Sequence, residues 1–267
     1  MDISQPVPQK QAIENNQLSN LAAFPAHGQT IDNFRELLRF APPLIVTMLI
    51  LSIVGMNLLA NKSINTGLDW LALDCGILFS WMAFLSMDVL TKCFGPRSTT
   101  TLSIVAIGAN LVVALIFFIA SLIPGEWSAS YVEGSEGIIN LALDSTFRGT
   151  WFIILGSSIA FAVSAVLNNY MNAGIGKRLN NDSSFGAFAT RAYISTFSAQ
   201  FVDNLVFALL VSRTFFGWTL MQCFTCALTG AVLELLFEVV FSPIGYKLTQ
   251  SILAERHQQA STNMSQA

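Results

Sequence analysis

Long apolar stretches recur along this sequence and constrain its fold more than any other feature. A helix that crosses a bilayer needs about 20 predominantly apolar residues, and backbone groups in hydrocarbon must find their hydrogen-bond partners within the chain. The alternating pattern of barrel strands, about ten residues each, does not occur in the sequence. We therefore predict an all-α membrane protein, a six-transmembrane-helix bundle with spans at residues 40–60, 71–90, 101–123, 150–167, 192–211 and 221–244.

The composition agrees with a bilayer environment. Hydrophobic residues make up 53% and charged residues 11% of the chain, and the mean hydropathy is +0.59. Because a soluble domain carries about 25% charged residues, this chain could not cover a surface that faces water. The 13 Lys and Arg residues form no basic stripe, so nucleic acid is not an expected partner.

Two polar segments flank the apolar region. Residues 1–37 are rich in Gln, Asn and Pro, and we expect a disordered N-terminal tail because such a segment cannot bury enough apolar surface to offset its ordering entropy. It also lacks the apolar core of a cleavable signal sequence. Residues 38–248 form the predicted six-helix membrane transport domain, and residues 249–267 form a polar C-terminal tail.

The basic residues are distributed unevenly between alternate connecting segments. If the N-terminus lies inside, only Lys62, Arg148 and Arg213 of the 13 Lys and Arg residues fall in outer segments. The positive-inside rule then predicts that both termini are cytoplasmic, which agrees with an even number of spans. The expected localisation is the inner (plasma) membrane, which the chain crosses several times.

One face of the fifth predicted span combines a carboxylate, an amide and an aromatic ring. Residues at spacings of four, three and four lie on the same face of a helix. Such a face can bind a flat polar solute, because the amide and carboxylate contact its edges and the ring stacks on it. The alternative is a cluster of hydrogen bonds between helices that stabilises the bundle. The residues are Thr196, Gln200, Asp203 and Phe207, with Asn204 beside them.

Four further carboxylates lie in or beside the predicted spans, where a charge is costly. Asp74 is expected near the headgroups, and Asp88 can pair with Lys92, four residues later on its helix. Glu234 and Glu238 are one turn apart. Because two like charges in a low dielectric cannot both be ionised cheaply, we predict that they are proton-coupling residues. The alternative is that both stay protonated, or pair with basic residues of neighbouring helices.

Signatures of catalysis are missing from the sequence. Both histidines, His27 and His257, lie in the polar end segments, and no zinc-protease motif, nucleophile elbow or Walker A loop occurs. Cys223 and Cys226 form a single C-x-x-C with no second pair, which favours small packing residues over a zinc site. We therefore predict a protein that is not an enzyme and that uses no metal and no cofactor.

Five short segments occur in a characteristic order and spacing. They are MNLLANKSIN at 56–65, MDVLTKCFGPR at 87–97, IAFAVSAVLNNYM at 159–171, TRAYISTFSAQFVDNLVF at 190–207 and P-x-x-Y at 243–246. Together they resemble the queuosine-precursor transporter family, also named VUT for vitamin uptake transporter, over residues 57–246. Lys92 and Phe94 stand where the second family motif has Glu and Tyr.

The resemblance implies six helices and the import of 7-deazaguanine precursors of queuosine, such as 7-cyano- or 7-aminomethyl-7-deazaguanine. The chemistry of the residues is compatible, because a guanine-like edge offers two adjacent N–H donors to one carboxylate. The carbonyl on the other side of the ring suits Asn, Gln or Lys donors. The resemblance implies functional roles for Asn57, Asn61, Lys62, Asp88, Arg191, Ser195, Gln200 and Asp203.

We therefore predict an ion-coupled membrane transporter that imports such a precursor or a similar small heterocycle. Two alternatives stay open, namely a solute-binding membrane subunit of an energy-coupling-factor-type vitamin importer and a non-transporting membrane scaffold. The expected partners are the solute and the lipid bilayer, and self-association is left open. The predicted substrate-binding residues are Asn57, Asn61, Lys62, Asp88, Gln200, Asp203, Asn204 and Phe207.

Overall fold

Helices account for nearly all of the described chain. The computed structural model describes residues 30–71, 73–127, 136–180 and 183–266. Its elements, in chain order, are α1 (Thr30–Phe40), α2 (Pro43–Leu59), β1 (Ser63–Ile64), β2 (Leu73–Asp74), α3 (Ile77–Phe94), α4 (Pro96–Ala120), α5 (Glu136–Arg178), α6 (Phe185–Phe207), a π-helical turn (Ala208–Ser212), α7 (Arg213–Phe215) and α8 (Leu220–Gln266).

Five helical segments are long and apolar enough to cross a membrane. The first predicted span differs from the others, because α2 has only 17 residues. It qualifies only when it is counted with the end of α1, from which it is bent by 107°. The described residues therefore contain five or six candidate spans of a multi-pass membrane protein. The five are Ile77–Phe94, Pro96–Ala120, Gly137–Arg178, Phe185–Phe215 and Leu220–Arg256.

Proline and glycine set several of the helix boundaries. Pro42 and Pro43 stand at the bend between α1 and α2, where proline lacks the N–H that a continuing helix needs. Gly95 adopts a φ of 83°, which ends α3, and Pro96 then begins α4 at its first turn. The hydroxyl of Ser184 accepts a backbone hydrogen bond and caps α6.

A hairpin formed by residues 60–71 and 73–76, which contains β1 and β2, stands where the second predicted span would start. The span predicted at 71–90 therefore begins later, at Ile77. The carboxylate of Asp74 accepts a hydrogen bond of 2.7 Å from the N–H of Gly76. Such a local bond offers the backbone an alternative to a helical turn, which explains why the helix does not start earlier.

The hairpin is attached to α8 by two hydrogen bonds. The side chain of Gln222 donates to the carbonyl of Asp69 at 2.8 Å, and the hydroxyl of Thr225 donates to the carbonyl of Trp70 at 2.6 Å. All four groups lie near the surface of the protein. The hairpin therefore covers one end of the bundle, where its Leu73 is buried in a small apolar cluster with Ala208, Cys223 and Cys226 that is separate from the main core.

Helix α3 forms the centre of the bundle. Of its spanning window 67% is buried, against 28% for α4, which lies at the periphery. Helix α3 packs against α2, α4, α5 and α8, while α6 packs against α5 and α8. The rings of Phe84 and Phe161 meet edge to face in the core between α3 and α5, with centroids 6.0 Å apart. The helices around α3 thus enclose the space in which buried polar residues meet.

Two helices are longer than a bilayer requires. At about 1.5 Å per residue, the 43 residues of α5 and the 47 of α8 exceed twice the roughly 30 Å of a hydrocarbon core. Helix α8 extends through most of the predicted C-terminal tail, as far as Gln266. Helix α1 likewise takes in residues 30–37 of the predicted N-terminal tail, while residues 1–29 lie outside the described part of the chain.

Candidate functional site

Buried polar side chains concentrate where α2, α3, α5, α6 and α8 meet. A polar group in an apolar interior is costly unless it is hydrogen-bonded. Its partners therefore indicate whether it stabilises the bundle or is available to a ligand. Two groups of these side chains can be distinguished, one around a small cavity and one around Asp88.

The cavity lies between the hairpin and the five helices. Its volume is about 30 Å³, which has room for one or two water molecules but is far below the roughly 300–1,000 Å³ of ligand pockets. Three carboxylates contribute to its wall, one each from the hairpin, α6 and α8. The lining residues are Met56, Asn57, Ala60, Asp74, Gly76, Ile77, Ser80, Ser157, Asp203, Asn204, Phe207 and Glu234.

Asp203 and Asn57 reach the cavity from α6 and α2. Asp203 is 7% exposed, and its Oδ1 accepts a hydrogen bond of 2.7 Å from the hydroxyl of Ser164. The Oδ1 of Asn57 accepts a hydrogen bond from the hydroxyl of Ser157. The buried Nδ2 of Asn57 has no partner among the described residues. Both side chains therefore retain hydrogen-bonding capacity at the cavity.

Glu234 is more fully engaged than Asp203. Its Oε1 accepts a hydrogen bond from the hydroxyl of Ser80, and its Oε2 accepts one of 3.1 Å from the Nδ2 of Asn204. Gly230, one turn earlier on α8, makes room for this amide, because a Cβ there would stand 2.6 Å from the Nδ2 of Asn204. Glu234 thus connects α3, α6 and α8 at the wall of the cavity.

Asp88 is the centre of a second polar cluster. It is fully buried, with Oδ1 accepting a hydrogen bond of 2.7 Å from Asn168 and Oδ2 one of 3.1 Å from Thr196. Its charge interacts with that of Arg191 on α6. The spacing along α3 suggests Lys92 as a partner of Asp88, and the structure adds Arg191 of a neighbouring helix. Asp88 therefore links α3 to α5 and α6.

Several fully buried side chains lack hydrogen-bond partners within the described residues, among them Asn110, Gln200 and Glu238. Neither amide atom of Gln200 and neither carboxyl oxygen of Glu238 has one within the described parts of the chain. The Nε and Nη2 of Arg191 are also unpartnered in those parts. Such groups cost about 1–3 kcal/mol each when they are left unsatisfied, so they do not act as hydrogen-bonding links between helices.

The predicted polar face of α6 points into the bundle. All four of its residues are buried, and Thr196 contributes to the Asp88 cluster while Asp203 and Phe207 line the cavity. Gln200 lies between them in the sequence, one turn from each cluster. The π-helical turn Ala208–Ser212 follows directly, and such turns are frequent at functional sites. The face thus runs from one polar cluster to the other.

The two glutamates of α8 interact with different carboxylates. Glu234 interacts electrostatically with Asp203 and Asp74 at the cavity, whereas Glu238 interacts with Asp88. Each therefore belongs to a different polar group of the interior.

Asp74 on the hairpin also belongs to the wall of the cavity, although it is expected near the headgroups from its place in the sequence. The side chain of Asp74 is half-buried and lines the cavity. Burial raises the pKa of its carboxyl group to about 6, and the hydrogen bond from the N–H of Gly76 opposes that rise. Asp74 therefore changes its charge within the range of pH that cells experience.

The structure does not bring Asn61 and Lys62 to the cavity. The side chain of Asn61 donates to the carbonyl of Leu58 at 3.0 Å and accepts a hydrogen bond of 3.3 Å from Thr150. Lys62 is exposed. Because α2 ends at Leu59, both residues belong to the hairpin rather than to the helix face that carries Asn57.

Three polar residues of the cavity wall, Asp74, Ser80 and Ser157, are not among the predicted solute-binding residues. Asp74 is followed two residues later by Gly76, and an Asp side chain that bonds the backbone two residues on is a known turn signal. That signal could have separated Asp74 from the helix. Ser80 and Ser157 carry no comparable signal, because serine in a span is most often a small packing residue.

A larger groove on the surface of the bundle has a different character. Its volume is about 510 Å³, and it lies between α4 and α5. Its lining offers a solute almost no hydrogen bonds, so it suits apolar chains rather than a polar heterocycle. Among the described residues no cluster of His, Cys, Asp or Glu could hold a metal ion. The groove residues are Leu111, Ala114, Leu115, Phe118, Trp151 and Leu155.

Comparison with known proteins identifies a family. Residues 74–248 match the family model described as "Putative vitamin uptake transporter". The matched range begins at Asp74. It includes the residues of the cavity wall and of the Asp88 cluster described above, apart from those of α2 and the residue after it, such as Asn57. No curated protein and no solved structure gives a match to the chain. A family of transporters agrees with a role other than catalysis.

Proposed function

The chain belongs to the vitamin uptake transporter family, and from that premise we propose that it imports a queuosine precursor or a similar small heterocycle. The precursor is 7-cyano- or 7-aminomethyl-7-deazaguanine. The observation that carries the proposal is the unpartnered amide of Gln200, one turn from Asp203 on the same buried face. A solute that bonds this amide would relieve the cost of burying it.

Asp203 and Gln200 form the centre of the proposed binding site. The carboxylate of Asp203 accepts two adjacent N–H groups from a guanine-like edge, while the amide of Gln200 bonds other polar atoms of the solute. Asn57 offers its unpartnered Nδ2 to a carbonyl, and Phe207 offers a ring. Asn204 and Asp88 support the site through Glu234 and Thr196, to which they are hydrogen-bonded.

Solute binding requires the cavity to widen. At about 30 Å³ it is too small for a fused bicyclic ring. The hairpin is the element we propose to move, because it covers the cavity and has fewer buried residues than the helices around it, although Leu73 packs in a small apolar cluster with residues of α8. Opening and closing of this cover would give the solute access from one side of the membrane.

Import is coupled to protons in this proposal. Glu234 and Glu238 are the coupling residues, because each is a buried carboxyl group whose charge interacts with a carboxylate at or near the solute site. A proton that binds one of them changes the charge that the neighbouring aspartate experiences. Solute binding and proton binding are then linked through electrostatics.

We propose that the protein lies in the inner (plasma) membrane and crosses it six times. Both termini are then in the cytoplasm. The distribution of basic residues supports it, since only Lys62, Arg148 and Arg213 lie in segments that would face outward. The hairpin then covers the outer end of the bundle. The bend between α1 and α2 would place α1 at the inner surface.

A modification assay in cells tests the proposed substrate. In cells that can neither make nor otherwise import queuosine precursors, the wild-type chain should restore queuosine to transfer RNA when a precursor is supplied. Asp203→Asn and Gln200→Ala should reduce this restoration strongly, whereas Asp69→Asn, at an exposed carboxylate, should not. If the wild-type protein is in the membrane and no queuosine appears, the proposed substrate is wrong.

A further inference from the structure

The cavity is acidic on three sides. Asp74 of the hairpin, Asp203 of α6 and Glu234 of α8 all contribute to its wall, and the charges of these three groups interact with one another. None of the lining residues is Lys, Arg or His. A cavity with this lining favours a ligand that brings a positive charge, because the ligand offsets the repulsion between the carboxylates.

The three carboxylates differ in how many of their oxygens already accept a hydrogen bond from the protein. Both oxygens of Glu234 already accept hydrogen bonds from protein side chains. Asp203 and Asp74 each accept one on Oδ1, from Ser164 and from the N–H of Gly76. Each of these two aspartates therefore has a second oxygen available to a ligand. Asp203 and Asp74 are on separate elements, so one ligand can contact both.

A second, independent observation points to a ligand in this cavity. The Nδ2 of Asn57 is buried at the wall and has no hydrogen-bond partner among the described residues. Its Oδ1 is held by the hydroxyl of Ser157, so the orientation of the amide is fixed. Asn57 offers a donor, and the aspartates offer acceptors. The wall therefore matches a ligand that has both an acceptor and several donors.

An inorganic cation does not fit this arrangement as well as an organic one. The described carboxylates are not grouped closely enough to hold a metal ion together. An organic molecule can bridge groups that are farther apart, with its ring at one carboxylate and a charged substituent at another. Asp74 lies on the hairpin and Asp203 on α6, so the two carboxylates can contact different parts of one solute.

We propose that the preferred solute carries a protonated amine and that the carboxylate of Asp74 binds this amine, while Asp203 binds the heterocycle. This inference rests on the proposed function and narrows it to a cationic member of the substrate class. Of the two precursors considered, 7-aminomethyl-7-deazaguanine has such an amine and 7-cyano-7-deazaguanine does not. Asp74 is thus a residue that determines specificity for the charge of the solute.

Equilibrium binding to the purified full-length protein tests this inference. The dissociation constants of the aminomethyl and cyano compounds are compared for the wild type, Asp74→Asn and Asp69→Asn. Asp74→Asn keeps an Oδ1 that can accept the hydrogen bond from Gly76, so the hairpin should retain its shape. Asp69→Asn removes an exposed negative charge from the same hairpin and is the matched control.

The wild type should bind the aminomethyl compound at least about tenfold more tightly, the effect of one close charge pair. Asp74→Asn should reduce this preference to less than about threefold, and Asp69→Asn should leave it unchanged. Equal binding of both compounds by the wild type, an unchanged preference in Asp74→Asn, or an equal loss in Asp69→Asn would overturn the inference alone. Binding of neither compound would overturn the proposed function as well.

Discussion

At the scale of single residues, the buried polar side chains fall into two classes. Asn168 and Asn169 are hydrogen-bonded to side chains of other helices and stabilise the bundle. Gln200 and Glu238 are equally buried but have no such partners in the described structure. An unsatisfied buried amide destabilises the fold, and for Gln200, on the face that reaches the cavity, we propose that a ligand bonds it.

Replacing Gln200 with methionine should separate these two classes. Gln200→Met keeps the volume of the side chain and removes its unpartnered amide, so the midpoint of thermal unfolding in detergent should stay the same or rise. Solute binding should weaken by about tenfold or more. Binding and unfolding are measured on the same purified protein.

Asn169→Leu is the control for this prediction. The side chain of Asn169 is hydrogen-bonded to Thr91 and Thr100, so its loss should lower the unfolding temperature. If Gln200→Met destabilises the protein as much as Asn169→Leu and binding is retained, Gln200 is a structural residue and not part of a solute site.

Asp74 should make the binding of a cationic solute dependent on pH. Its pKa of about 6 means that the carboxylate is charged above this pH and neutral below it. Affinity for the aminomethyl compound should therefore fall as the pH is lowered from about 7.5 to about 5, while affinity for the cyano compound falls less. Equilibrium binding in detergent excludes any effect of a proton gradient.

The neighbouring titratable groups need to be considered in this pH series. Asp203 on α6 and both Glu234 and Cys226 on α8 interact electrostatically with Asp74. The part of the response that belongs to Asp74 is the part that Asp74→Asn removes. A pH dependence that is identical in wild type and Asp74→Asn would assign the response to the other groups.

The sequence predicts part of the site because helical spacing brings certain residues together. The face of Thr196, Gln200, Asp203 and Phe207 is buried in the bundle, as its spacing of four, three and four predicts. Whether these residues bind a solute stays a prediction. Contacts between helices, such as the hydrogen bond from Asn204 to Glu234, could not be predicted, because spacing along one helix carries no information about its neighbours.

At the scale of elements, the hairpin is the largest difference between the sequence and the structure. An apolar run from residue 71 onward suggests a helix, but the local hydrogen bond between Asp74 and Gly76 starts the helix at Ile77. Periodicity does not detect a turn at the edge of an apolar run. The consequence is functional, because the hairpin brings a third carboxylate to the cavity.

Loosening the hairpin should expose Cys75. This cysteine lies on the hairpin and is partly exposed, whereas Cys93, Cys223 and Cys226 are buried. Gln222→Ala combined with Thr225→Val removes the two hydrogen bonds between the hairpin and α8. Because each contributes about 0.5–1.5 kcal/mol, loss of both should make a membrane-impermeant thiol reagent label Cys75 at least about fivefold faster.

The same labelling experiment tests whether the hairpin closes over the bound solute. Solute should slow the labelling of Cys75 in both proteins, because a closed hairpin covers the cavity. Cys75→Ser should abolish the labelling, since the other three cysteines are buried. Labelling of Cys75 that is equally fast in the double variant and in the wild type would show that the hairpin is not the moving element.

At the scale of the whole molecule, the long apolar runs determine the class of fold. Five of the predicted spans coincide with helices that are long enough to cross a bilayer, because hydrophobic length is a direct consequence of bilayer thickness. The remaining predicted span, at 40–60, is shorter in the structure. Pro42 and Pro43 separate α1, which ends at Phe40, from α2, which begins at Pro43. The extensions of α5 and α8 beyond the bilayer do not follow from hydropathy, since polar helices carry no apolar signal.

We propose that Asp203, a buried carboxylate in the middle of the bundle, binds the transported solute. The most direct measurement is uptake of labelled 7-deazaguanine precursor into liposomes that contain the purified protein, with an inward proton gradient and no ATP. The wild type should accumulate the solute, and Asp203→Asn, folded and inserted to the same extent, should lower uptake by at least about tenfold. Uptake that needs ATP and a further subunit, or uptake that Asp203→Asn leaves unchanged, would contradict the account.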